Sequence, residues 1–182
     1  VEDLGETLRL IAQGSQAAFS RLYCEQQPIM LRFATGLMGG HGQAAEDMVD
    51  EAFFEVWRKA GQYSGDGHPQ GWLRRIVRNK VIDWLRKQPR AGVETPADDA
   101  LAQLSDESDT PEQALEKLSD ANELRRLLSH LTLEHREALW LCYYEELPLS
   151  EIAATVECPE GTVKTRLFHA RRALRAMMGD QS

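Results

Sequence analysis

At 182 residues, 42% hydrophobic and 27% charged, the chain has room for one average domain or two small ones. No apolar run approaches the ~20 residues of a membrane span, and Val1 to Leu10 lacks the basic-then-apolar order of a secretory signal, so a cytoplasmic protein without membrane insertion is expected. The formal net charge of −8 speaks against phosphate binding, but only as an average. Between Trp72 and Arg90, Arg74, Arg75, Arg78, Lys80, Arg86, Lys87 and Arg90 oppose Asp83 alone. Between Ala91 and Asp120 the pattern inverts, with Lys117 the one base among many acids. Between Thr162 and Met178, Lys164, Arg166, Arg171, Arg172 and Arg175 meet no acid. Two basic segments flank an acidic middle, and that segregation says more than the total.

In chain order, Leu8, Ile11 and Ala12 begin an apolar face that Gly14-Ser15 interrupts. Phe19 to Met38 suits a helix or a broken pair ending at Gly39-Gly40. From Ala45 to Ala60 the apolar residues follow helical spacing without a fault (Ala45, Met48, Val49, Ala52, Phe53, Val56, Trp57 and Ala60). The opposite face is acidic, yet Phe54 sits in its middle, where a core has no use for it. Ser64 to Pro69 reads as a loop from its turn residues. Trp72, Leu73, Ile76, Val77, Val81, Trp84 and Leu85 then mark a helix that carries the first basic cluster.

Pro89 to Asp109 is rich in acids and poor in large apolar residues, which makes it a linker. Thr110-Pro111-Glu112-Gln113 has the form of a helix start. Leu115 to Leu131 gives one amphipathic helix and Leu133 to Glu146 a second. A short third follows, with Leu149, Ile152, Ala153 and Val156 inward, Ser150 as N-cap and Glu151 complementing its dipole. Glu157 to Gly161 is a turn, and Val163, Leu167, Ala170, Leu174 and Met177 share one face of the last helix. The expected fold is all-α: two small helical modules, residues 1–88 and 110–182, joined by a flexible acidic linker at 89–109.

The pair Leu149–Val156 and Thr162–Met178 has helix-turn-helix form. Such a unit lays its second helix in the major groove with its N-terminal side chains at the base edges. Lys164, Thr165, Arg166, Phe168, His169, Arg171, Arg172 and Arg175 are therefore the candidate duplex contacts; an ordinary helical hairpin with a solvated basic face would show the same form. On the earlier helix, Trp72, Arg74, Arg75, Arg78, Asn79 and Arg86 interleave bases with aromatics, which suits phosphate contact and stacking on a single strand. Asp83 is expected to orient Lys80, Arg86 or Lys87 by helical spacing. Enzymatic and metal readings find no footing. There is no G-x-x-x-x-G-K-[ST], H-E-x-x-H or G-x-S-x-G, and His130 and His135 lie five apart. Cys24, Cys142 and Cys158, odd in number and without C-x-x-C spacing, suit reduced thiols. No cofactor is implied.

Four stretches, in order, resemble the extracytoplasmic-function class of bacterial sigma factors in the sigma-70 superfamily. Ala17 to Tyr23 resembles the opening of that family's first module. Ala45 to Phe54 resembles its polymerase-docking helix, and Trp72 to Arg86 its promoter-opening helix. Leu149 to Ala153 with Gly161 to Leu167 resembles its helix-turn-helix. The resemblance implies that Asp47, Asp50, Glu51 and Phe54 meet core RNA polymerase, that the first module melts promoter DNA at the −10 element, and that the second reads the −35 element. It also suggests an anti-sigma factor as partner. Four positions depart from the pattern: Asp50 where Gln is commoner, Pro69 where Phe is frequent, and Phe168 and His169 in place of the usual His and Arg. The competing readings are a stand-alone dimeric helix-turn-helix regulator, which would bind DNA unaided, and a recombinase, whose nucleophile the first module does not offer.

Overall fold

The computed structural model describes residues 3–39, 41–65, 68–88 and 128–179. Among these there are helices and turns but no strand. α1 spans Leu4–Ala12, with the Asp3 carboxylate accepting from the Gly5 amide; Gly14, at φ +87°, turns the chain. α2 (Gln16–Leu37) starts where the Ser15 hydroxyl accepts from the Ala18 amide. It runs unbroken through Pro28, so the alternative of a broken pair falls away. α3 is Gly42–Lys59, followed by a 3-10 turn at Ala60–Gln62.

α4 is Pro69–Lys87. Pro69, expected in the preceding loop, is instead the first helical residue; its fixed φ and missing N–H suit that position. These helices enclose a core led by Leu8, Leu22, Met30, Phe33, Leu37, Val49, Phe53, Leu73 and Val77, and the Ala45–Ala60 stripe predicted for α3 is buried as expected except at Trp57, which is half-buried against Phe19. Trp72 and Trp84 are half-buried near the ends of α4, Trp72 against Tyr63 and Trp84 against His41.

The linker at 89–109, the Thr110-Pro111 helix start and most of the Leu115–Leu131 helix lie outside the described residues; Leu128 and Leu131 at its end are buried. α5 (Leu133–Leu139) is capped by the Thr132 hydroxyl and widens into a π turn at Trp140–Tyr144, so the helix expected to reach Glu146 stops short. Glu146 then takes a positive φ of 51°. α6 is Leu149–Val156 and α7 is Glu160–Gly179.

Two local expectations change here. Pro148, not Ser150, occupies the N-cap of α6, and Ser150 is exposed in the first turn. Glu157 rather than a glycine takes the left-handed C-cap conformation, at φ 56°, and Gly161 lies inside α7. Of the residues expected to face inward, Ile152, Val156, Val163, Leu167, Ala170 and Leu174 are buried, and Leu149, Ala153 and Met177 are half-buried against the core.

The C-terminal helices do not stand apart from the N-terminal ones. α6 packs on α4, α5 and the π turn pack on α2, and the apolar core is continuous from Leu8 to Leu174. The Arg136 guanidinium donates to the Leu37 carbonyl at 2.5 Å and to the Leu131 carbonyl at 3.2 Å. It thereby satisfies one of the carbonyls left open at the end of α2.

Candidate nucleic-acid interface

The helix-turn-helix is built by α6 and α7. Its short turn follows from Glu157, whose left-handed backbone ends α6, and from Pro159, whose carbonyl accepts from the amides of Thr162 and Val163 as α7 starts. With Val163, Leu167, Ala170 and Leu174 buried, the helical period leaves Lys164, His169, Arg172 and Arg175 exposed. Thr165, Arg166, Phe168 and Arg171 are half-buried. Arg171 is tied down, its Nε donating to the Tyr143 hydroxyl at 2.8 Å and its guanidinium lying over the same ring. The Thr165 hydroxyl donates back to the Gly161 carbonyl at 3.0 Å. His169 stacks on His135, with ring centroids 6.1 Å apart, and Phe168 meets its edge. The exposed positive charge on α7 thus centres on Lys164, Arg172 and Arg175.

α4 departs from expectation. Its arginines were read as exposed for phosphate contact, yet Arg74 is buried and Arg75 and Arg78 are half-buried. The cause is the opposite charge brought against them by the C-terminal helices. Arg74 Nη2 meets Glu145 Oε2 at 2.5 Å, and Arg78 Nε meets Glu137 Oε1 at 2.5 Å. Arg75 reaches Glu157 at 3.3 Å and His68 reaches Glu151 at 3.5 Å, both nearer solvent. Asn79 and Arg86 remain exposed. Asp83 orients Arg86 alone, at 3.8 Å. Lys80 turns away to Glu55 at 3.0 Å and Glu51 at 3.7 Å, fastening α4 to α3. That pairing, with the stronger hydrogen bond from Lys59, holds the Glu55 carboxyl below its ordinary value.

Glu137, which local spacing did not single out, is almost fully buried, and burial pushes its carboxyl upward against the pull of Arg78. One sequence signal was available: an acid on the same helical stripe as Leu133 and Leu141, where a charge belongs only if it is paired.

The acidic face of α3 is as read from the sequence. Asp47, Asp50, Glu51 and Phe54 are all exposed, Phe54 at 65%. The Tyr23 hydroxyl donates to Asp50 Oδ1 at 2.8 Å, and the Tyr23 ring meets Phe53 edge-on, so this face is held from behind. Among the described residues no group of three or more His, Cys, Asp or Glu could hold a metal ion, and no helix is long and apolar enough to cross a membrane. Cys24 is exposed and Cys142 and Cys158 are half-buried, all three as free thiols.

Comparison with known proteins places these faces in a family. Residues 22–91 match the Sigma-70 region 2 family, and residues 121–174 match Sigma-70, region 4. The chain is 33% identical over 174 residues to the ECF RNA polymerase sigma factor SigL of Mycobacterium tuberculosis, covering 90% of this chain and 91% of SigL. To the ECF RNA polymerase sigma factor SigW of Bacillus subtilis it is 27% identical, covering 95% of each. Two solved structures share the fold: CnrH in complex with the cytosolic domain of CnrY (TM-score 0.72, 21% identity, 100% of each chain), and the sigma factor RpoE in complex with the anti-sigma factor NepR from Bartonella quintana (TM-score 0.67, 24% identity, 88% of this chain and 96% of that one). A helix-turn-helix with its basic strip exposed, an acidic face carrying an exposed phenylalanine, and a relative matched along nearly its whole length converge: the chain belongs to the ECF RNA polymerase sigma factors of the sigma-70 superfamily.

Proposed function

We propose that the chain directs core RNA polymerase to promoters in the cytoplasm, with no chemistry and no cofactor of its own. Residues 1–88 form the module that docks on polymerase and opens the −10 element, 89–109 link it, and 110–182 form the module that reads the −35 element. Asp47, Asp50, Glu51 and Phe54 make the docking face. Trp72, Arg74, Arg75, Arg78, Asn79 and Arg86 engage the −10 strand, by phosphate contact and base stacking. Lys164, Thr165, Arg166, Phe168 and His169 reach −35 base edges, while Arg171, Arg172 and Arg175 hold phosphates, since the N-terminal part of a recognition helix points into the groove. An anti-sigma factor is the matching antagonist; the structural neighbours CnrH and RpoE are each seen in complex with a bound protein, and NepR is named as an anti-sigma factor.

The observation that carries this reading is the exposure of Phe54 among Asp47, Asp50 and Glu51, on a chain that also carries a helix-turn-helix. An apolar anchor inside a charged ring fits a protein interface. A gel shift with promoter duplex tests the choice. The isolated chain should bind feebly and the chain with core polymerase tightly. Equal binding with and without polymerase would favour the stand-alone regulator.

A further inference from the structure

α5 brings to the recognition helix a side chain that lies outside the base-reading set. The Thr132 hydroxyl caps α5 by accepting from the His135 amide at 3.3 Å, which fixes His135 in the first turn. α5 packs along α7. The half-buried His135 ring lies over the exposed His169 ring, with centroids 6.1 Å apart and planes 27° from parallel. Phe168 meets the same imidazole edge-on, with centroids 5.4 Å apart and planes at 78°. Both distances fall in the range over which aromatic rings attract one another. His169 is thus held by two rings, one stacked and one nearly at right angles.

We propose that His135 is a positioning residue for −35 recognition: it holds the His169 imidazole in one orientation and so decides which base edge His169 reads. A neutral imidazole has one nitrogen that donates and one that accepts. Turning the ring over exchanges the two. The base edge it fits changes with them, because each base pair shows its own order of donors and acceptors in the major groove. A histidine free to rotate therefore discriminates poorly, and one stacked on a fixed ring discriminates well. The inference rests on the base-reading role assigned above to His169.

The neighbours of His169 on α7 sharpen its role. It lies one turn beyond Thr165 and one turn before Arg172, on the same side of the helix. The Thr165 hydroxyl donates its proton to the Gly161 carbonyl, which leaves it only as an acceptor. Arg171 is held from behind as well, by the Tyr143 hydroxyl and ring. The two supports differ in consequence. Arg171 is assigned to a phosphate, which carries no sequence information, whereas the orientation of His169 bears on which base is accepted.

The test uses holoenzyme assembled from the full chain and core polymerase, on a promoter library randomised across the −35 element. Sequencing the bound promoters gives the base preference at each position, and the bound fraction gives overall affinity. His169→Ala should erase the preference at one position. His135→Ala should lower the contrast between preferred and other bases at that same position by about threefold or more, and leave the other positions as they were. His135→Phe restores a planar ring and should recover the contrast. With His169→Ala already present, adding His135→Ala should cost nothing further. His135→Leu fills the space without a planar ring; it should lose the contrast as alanine does, and it covers the case in which His135→Ala fails to fold.

A His135→Ala holoenzyme with every base preference intact would overturn the proposal. So would one that weakens all promoters alike, the mark of a merely structural role. Failure of His135→Phe to recover the contrast would also overturn it, as would an effect of His135→Ala that persists once His169 is gone. His169→Ala separates this inference from the reading beneath it. If it erases a preference that His135→Ala leaves alone, His169 reads DNA and only the positioning is wrong. If it leaves every preference intact, the base-reading role of His169 is wrong and the positioning falls with it.

Discussion

Replacing Phe54 with alanine separates docking from folding. With roughly 200 Å² for a phenylalanine side chain, the 65% that stays exposed in the free chain is about 130 Å², and at ~25 cal/mol per Å² burying it in a partner contributes at most about 3 kcal/mol. Truncation keeps the Cβ, so the loss should fall between ~1 and ~3 kcal/mol, a weakening of about 5- to 150-fold in the affinity for core polymerase. The same exposure limits the effect on folding. Removing a mostly solvated ring should shift unfolding by no more than ~0.5 kcal/mol. A competition assay against a labelled sigma factor measures the first quantity, and urea denaturation of the free chain the second. The acids around the ring should respond differently: Asp47→Asn or Glu51→Gln should chiefly lower the association rate, and less so at high salt, because rim charges steer encounter. Unchanged core affinity of Phe54→Ala, or a loss of affinity matched by a loss of stability, would refute the docking argument.

Other outcomes follow from the same structure. Arg172→Ala should weaken binding to all promoters alike and flatten the salt dependence, while substitutions at Lys164 or Phe168 should reorder promoters; reporters carrying a randomised −35 element distinguish the two. The Glu55 carboxyl is held below its ordinary value of 4.5 by Lys59 and then Lys80, so the stability it contributes is present above that value and is lost as pH falls through the lower folded value. Glu55→Gln should flatten that acid limb in urea melts, and because Glu55 in turn holds Lys80 above its ordinary value, it should also flatten the alkaline limb where Lys80 loses its proton. For the linker, an equal-length Gly/Ser segment in place of 92–109 keeps the spacing but removes Glu94, Asp98, Asp99, Asp106, Glu107 and Asp109. If those acids lie in a positively lined nucleic-acid channel of the polymerase, the swap should weaken holoenzyme assembly and alter the yield of abortive transcripts. Equal assembly and an equal abortive pattern would leave the linker a tether.

How legible each element was in the sequence depended on how local its determinants are. α3 was readable to within three residues at its start and one at its end, because one uninterrupted apolar stripe faces the core and the acids, with Phe54, face away. The inward stripes of α6 and α7 were readable for the same reason. Caps were less so. Ser150 has the right chemistry for an N-cap, but Pro148 precedes the helix and α6 starts two residues earlier than a serine cap would set it. The continuity of α2 through Pro28 could not be read either, since a proline's local cost is outweighed only by packing along the rest of the helix, seen in buried Met30, Phe33, Ala34 and Leu37. The fate of the α4 arginines was the least legible. Arg78 and Glu137 are 59 residues apart, and Arg74 and Glu145 are 71 apart. Helical spacing reports on partners three or four residues away, so a charge row that looked solvated is in fact closed by distant acids.

The most direct test of the central claim is run-off transcription from a genomic promoter library with purified core polymerase, with and without the chain. Family membership together with the exposed acidic face of α3 and the exposed basic strip of α7 predicts specific transcripts only when the chain is added. It also predicts that Phe54→Ala lowers their yield and that Arg172→Ala lowers all of them in proportion. Transcripts identical with and without the chain would contradict it.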